Sequence, residues 1–200
     1  MLKKIEELRQ HIQKLEDELE AEFEDARVAL GVHIENGRAV FREEVLQRHS
    51  ELRTSLLKYV SGAKLLTILT APAIYAVFVP LALLDLFVSI YQLICFPVYG
   101  IKKVRRSNHI VFDRHRLKYL NGIEKINCVY CSYANGVLSY VVAVASDTEK
   151  YWCPIKHARR IPNPHGSYHS FADYGDAEGY KDRVARCHRS YKKIDGSTQE

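Results

Sequence analysis

Apolar residues recur every three or four positions at the start of the chain: Ile5, Leu8, Ile12, Leu15, Leu19, Phe23, Ala26 and Leu30. That spacing predicts a helix over residues 2–30 with one apolar seam. The steps from Ile5 to Leu19 have coiled-coil spacing, and the four-residue step to Phe23 is a stutter that locally unwinds a supercoil. Charges such as Glu6, Glu7, Glu16, Asp17 and Glu18 lie off the seam. The seam has two possible covers: the next helix of the same chain, or a homo-oligomeric or helical protein partner. "ENG" at Glu35 to Gly37 is a turn signal, and Phe41, Val45, Leu52, Leu56 and Val60 beyond it predict a second helix. The alternative is a β-hairpin, because "VHIENGRAVF" has apolar residues on both sides of Asn-Gly. The helical patterns on either side favour helix, break, helix.

The pattern then changes. From Leu65 to Ile101 the only charged residue is Asp85, and eighteen uncharged apolar residues already suggest a membrane span. One helix over this block would be about 55 Å long, against roughly 30 Å of hydrocarbon. A hairpin of two short helices turning near Pro80 fits better, and basic residues at both ends of the block place both ends in the cytoplasm. The alternative is one span over 65–84 followed by an interfacial helix carrying Tyr91, Pro97 and Tyr99. Asp85 reads either as a residue meeting water at the hairpin tip or as an intramembrane functional carboxyl, with no second charge in the block to pair with it. Cys95 reads as a small packing residue, acylation at the membrane edge being the other possibility.

Composition sharpens this picture in two respects. The net charge of +5 is modest, but "KKVRR" follows the apolar block directly, with "DRHRLK" and "KHARR" further on. Juxtamembrane basic clusters attract anionic headgroups and mark a cytoplasmic loop; nucleic acid ranks second as a partner because lipid is adjacent. The start "MLKKIEELRQ" has no apolar core of a signal peptide, and five cysteines in no framework-like array do not read as a disulfide-stapled secreted domain. A reducing cytosol is expected for the cysteine-bearing part.

Residues 102–200 hold the candidate chemistry. Leu117, Leu120 and Ile123 predict a helix with Gly122 as its weak point; "RIPNPHGSYHSFADYGD" is irregular, a short helix covers Ala177 to Tyr191, and "DGSTQE" is a frayed tail. Cys128 and Cys131 form C-x2-C, while Cys153 and His157 form C-x3-H. Two short pairs of thiolate and imidazole ligands are the usual makings of a structural zinc site. Sharing one ion requires breaks, for which "ANG" (134–136) and "SDTEK" (146–150) are candidates, since a continuous helix would hold the pairs more than about 25 Å apart; failing that, the ligands would have to meet across an oligomer interface. Alternatives are dithiol redox chemistry at Cys128 and Cys131, which needs a helix N-terminus to lower a thiol pKa, an iron site, or simple packing. His165, His169 and the Cys187-His188 pair are spare ligands or solvated histidines. No phosphate loop, nucleophile elbow or zincin motif is present, so nothing argues for catalysis.

The segments "APAIYAVFVPLALLDLFVSIYQLICFPVYGI", "YLNGIEKINCVYCSYANG", "YWCPIKHARR" and "DYGDAEGY" together resemble a family of uncharacterised bacterial inner-membrane proteins with a cytoplasmic CxxC and CPxKH region. The likeness covers roughly residues 65–180. It implies a bacterial inner-membrane location and carries no catalytic residue with it.

The expected protein is mainly α, in three parts: coiled-coil-like helices over 1–62, a membrane-embedded hairpin over 63–101, and a basic cytoplasmic Cys/His domain over 102–200. Its expected role is a membrane-anchored interaction or scaffold module with zinc held by Cys128, Cys131, Cys153 and His157. A membrane-bound thiol redox protein is the alternative.

Overall fold

A computed structural model describes residues 2–35 and 38–196 of the chain. It is mainly helical and divides into two compact units, Met1–Gly62 with Asp113–Lys125, and Ala63–Phe112 with Ile126–Glu200.

In the first unit, α1 (Leu2–Ala29) is a single long helix. It ends at Gly31, whose φ of +74° is left-handed backbone that glycine adopts without strain. The chain then makes a two-stranded antiparallel hairpin, β1 (Val32–Glu35) with β2 (Arg38–Phe41), in which Val32 faces Phe41 and Glu35 faces Arg38. This corrects the expected helix at Phe41. β-branched and aromatic residues on both sides of the turn prevail over the helical flanks; Asn36 and Gly37, the turn itself, lie outside the described residues. The remainder of the expected second helix is two short ones, α2 (Glu43–Glu51) and α3 (Leu56–Ser61), the latter capped by Ser55 accepting from the Lys58 amide. Neither has a buried residue, and the seam residues Leu8, Ile12, Leu15, Leu19 and Phe23 of α1 are all at least half exposed. The chain's own next helix therefore does not cover the seam.

Residues 113–120 contain a 3-10 turn at Arg114–Arg116 and a further turn closed by Leu120 N–H to Leu117 O in place of the helix expected there. The buried Asn121 explains the delay: its side chain accepts from the amides of Ile123 and Glu124, while the Glu124 carboxylate accepts from the Asn121 amide. This reciprocal capping starts α6 (Gly122–Trp152) at Gly122.

The second unit begins with α4 (Leu65–Ala76) and α5 (Phe78–Tyr99), joined by Val77 alone, which keeps right-handed helical dihedrals. No turn occurs at Pro80. It occupies the first turn of α5, where its missing N–H removes no helical bond, so the expected hairpin gives way to one apolar run of 35 residues, Leu65–Tyr99. At Gly100, φ +70°, the helix stops. α6 lies beside α5 and runs parallel to it, as rising pairs show: Phe78 with Tyr133, Ser89 with Tyr140, Tyr91 with Thr148 and Tyr99 with Tyr151.

Because the helices are parallel, the chain between them must travel back. Residues 101–112 do so with one short 3-10 turn, Arg106–Asn108, meeting Gln92 at Val104, Asp85 at Arg106, Ser139 at His109 and Gly136 at Ile110. Gly136 is therefore no helix break. Its missing side chain admits the returning backbone, since a Cβ there would lie 2.8 Å from the His109 carbonyl oxygen and the Ile110 Cα. The core is small and centred on Phe96, Ile101, Tyr140, Val144, Cys187 and Tyr191. α7 (Ala177–Gly196) contributes the last two and runs beyond the expected end at Tyr191; the final tail residues 197–200 lie outside the described residues.

Gly136→Ala is expected to destabilise the protein by about 1–3 kcal/mol through overpacking against backbone that cannot rotate away. Gly166→Ala, with nothing within 4 Å of its added Cβ, is expected to be near neutral. Thermal unfolding of both variants in the same detergent checks the difference.

Candidate functional site

The four sequence-derived ligand residues do not come together within one chain. Cys128 and Cys131 sit inside α6 and Cys153 follows its end, so the expected breaks at 134–136 and 146–150 do not form. Asn135 stays helical by donating from its side chain to the Cys131 carbonyl. From Cys131 to the helix end is about 31 Å at 1.5 Å per residue, whereas four ligands of one zinc stand a few ångströms apart. Among the described residues no three of His, Cys, Asp and Glu are grouped to hold a metal ion. Cys128 also lies beyond the first turn of α6, away from the amides that would lower a thiol pKa. His157 is occupied otherwise: its backbone N–H donates to the Tyr168 hydroxyl at 2.7 Å, and its ring lies near the same oxygen.

What the second unit does assemble is a polar seam between apolar helices. Asp85, Ser89 and Gln92 recur at helical spacing on the inner side of α5. Asp85 is 7% exposed and accepts from Arg106 through Nε (2.9 Å) and Nη2 (2.5 Å), with a third bond from the Tyr133 hydroxyl at 3.0 Å. Two turns on, Gln92 accepts from the Val104 amide at 3.0 Å and donates to the Tyr140 hydroxyl at 2.5 Å and the Val104 carbonyl at 3.3 Å. His109 and Ser139 add a bond of 2.9 Å. Asp85 and Gln92 thus fix the returning segment to the helix pair, while Ser89 lies 3.4 Å from the Tyr140 hydroxyl of α6. Asp85 is neither at a hairpin tip nor alone; its partner lies 21 residues on, in the "KKVRR" cluster that sequence reading assigned to headgroups.

The opposite side of α5 reverses the usual order of a soluble helix. Leu83, Leu86, Phe87, Ile90, Leu93, Ile94 and Val98 are all exposed, Phe87 by 65% and Val98 by 78%. Polar residues face in and apolar residues face out, an arrangement that water disfavours and lipid favours. Two helices, Leu65–Tyr99 and Gly122–Trp152, are long and apolar enough to cross a membrane.

A second cluster forms around His165, which the sequence marks only as a spare ligand or a solvated histidine. The His165 ring joins the Ser146 hydroxyl (2.7 Å) to the Glu149 carboxylate (2.9 Å), both on α6. Serine, histidine and carboxylate are the components of a hydrolase triad, but Ser146 is buried in mid-helix, where the adjacent amides are already bonded to the preceding turn and form no oxyanion site. The cluster instead fastens the loop 153–176, together with Lys156 N–H to Ala172 O and Ala172 N–H to Pro154 O, both 2.8 Å. No spacing signals it, because His165 and Ser146 are distant in sequence and one is in a loop. The neighbouring candidates are structural too: His188 stacks on Tyr151 and meets its carbonyl at 3.1 Å, and burial pushes the Cys187 thiol above its ordinary pKa.

Breaking the Asp85 pair strands one charge. Asp85→Asn and Arg106→Gln are each expected to cost about 2 kcal/mol, below the value for a fully buried pair because Arg106 is half exposed. The double replacement should cost clearly less than the sum of the two. Denaturant titration in detergent checks this, and simple additivity would mean that the two groups do not interact.

Set against protein-family models, curated proteins and solved structures, the chain matches none of them.

Proposed function

We propose that this protein is a membrane-anchored interaction module: the second unit attaches to lipid, and α1 pairs with another copy of the chain. The observation that carries the first half is the inverted α5, with Asp85, Ser89 and Gln92 turned inward and a wide apolar face from Leu83 to Val98 turned outward. Burying such a face in lipid removes several large side chains from water, each contributing about 1.5–3 kcal/mol. The basic residues Lys102, Lys103 and Arg105 of the returning segment are exposed, and each lysine or arginine near an anionic surface adds about 1 kcal/mol.

The second half rests on the open seam of α1. An antiparallel pairing sets Leu8 of one copy against Leu19 of the other and Ile12 against Leu15. The same register brings Lys4 beside Asp25, unlike charges flanking the seam. The seam is short, so membrane attachment matters to it: two anchored chains meet at raised effective concentration.

Full-length protein is expected to float with vesicles of phosphatidylcholine and phosphatidylglycerol and to stay bound in 1 M salt, which screens surface charge. Release by salt, or failure to float, would contradict lipid attachment. For the pairing, differently tagged chains carrying Leu8→Cys and Leu19→Cys are mixed and oxidised on vesicles. A mixed disulfide above the background of the native cysteines is expected only in the mixture; disulfides formed by each variant alone would indicate parallel pairing.

A further inference from the structure

The second unit has two chemically different sides, and together they decide how it meets a membrane. On α6 the residues that receive the returning segment are Gly136, Ser139 and Tyr140. At about 100° per residue, Val141, Ala145 and Trp152 lie on another side of the same helix. There, with Val88 and Tyr91 of α5, they line an open groove that is almost wholly apolar. The α5 face from Leu83 to Val98 adjoins it, because Phe87, Ile94 and Val98 follow Tyr91 around that helix. One side of the helix pair is thus a broad apolar sheet of side chains. The other carries an irregular segment with exposed Lys102, Lys103, Arg105 and the half-exposed Arg106.

Two parallel helices that both crossed a bilayer would require this returning segment to cross it as well, antiparallel between them. Exposed lysine and arginine on non-helical backbone are not accommodated at hydrocarbon depth. Nor does α4–α5 fit upright: its 35 residues measure about 52 Å at 1.5 Å per residue, against about 30 Å of hydrocarbon. We infer that the α4–α5 helix lies in the plane of one leaflet, its apolar side and the groove sunk among the acyl chains, with the returning segment above it at the level of the phosphates. An in-plane helix sinks about 5–10 Å into the boundary of headgroup and acyl chain. A second layer resting on a helix about 10 Å thick then reaches the headgroups, where its lysines and arginines meet anionic lipid. Tyr91, Tyr99, Tyr151 and Trp152 sit where amphipathic rings favour a bilayer interface. The surface is thus a one-leaflet membrane contact, selective for anionic phospholipid.

This inference rests on the lipid attachment proposed above, and depth measurement separates the two. The chain has one tryptophan. In a Trp152→Phe background, single tryptophans replace Leu69, Phe87 or Val98, all at least 65% exposed and therefore tolerant of exchange. Each full-length variant is bound to vesicles containing phosphatidylglycerol and phosphatidylcholine brominated at a shallow or a deep acyl position. The expected result is quenching of all three by the shallow bromines more than by the deep ones, at matching depths. From residue 69 to 98 a helix extends about 44 Å, so an upright helix would give unequal depths with one position close to the bilayer centre, and that result overturns the in-plane arrangement. Quenching of none would overturn lipid attachment itself. Trp152 in the unaltered chain, which is expected to be quenched from the shallow position, controls for misfolding of the variants.

Discussion

A carboxylate in the middle of an apolar helix has to be neutralised, and the way Asp85 is neutralised organises the whole second unit. Arg106 comes to it from the chain beyond the helix, so the returning segment is drawn back along α5 and cannot project into solvent. Gln92 repeats the device with the backbone of Val104, and Gly136 supplies the space in which that backbone lies against α6. The parallel direction of α5 and α6 follows, because a segment that retraces one helix delivers the chain to the start of the next.

Turning polar groups inward leaves the apolar ones outside. The small core around Phe96, Tyr140 and Val144 does not account for the exposed face of α5, and such a face in water would be an aggregation liability. The proposed lipid contact would account for both facts together. The irregular loop 153–176 and α7 then appear as supports: His165 ties the loop to α6 through Ser146 and Glu149, and Cys187 and Tyr191 complete the core.

Much of this was legible in the sequence wherever a single periodicity ruled. The long helix of α1 and the irregular stretch after His157 are found where the pattern puts them, and the apolar block is helical as expected, though without the expected hairpin. The errors share a cause, namely local signals whose outcome depends on distant partners. Asn135-Gly136 reads as a break until the backbone of Ile110 is known to need the space. Pro80 reads as a turn until it is placed in the first turn of a helix. Cys128, Cys131, Cys153 and His157 have the spacing of ligands, yet a continuous α6 holds the two pairs apart. Arg106 has no local mark distinguishing it from Arg105, and only the burial of Asp85 selects it.

The orientation of α5 is the point on which lipid attachment stands, and a spin-label scan from Leu83 to Val98 on vesicle-bound, full-length protein addresses it residue by residue. Collision rates with oxygen, which concentrates in lipid, should oscillate with the helical period, with maxima at Leu83, Phe87, Ile90, Ile94 and Val98 and minima at Ser89, Gln92 and Phe96. A flat profile, or high access of a water-soluble nickel chelate at Phe87 and Ile94, would contradict a helix that faces lipid with its apolar side and the protein with its polar one.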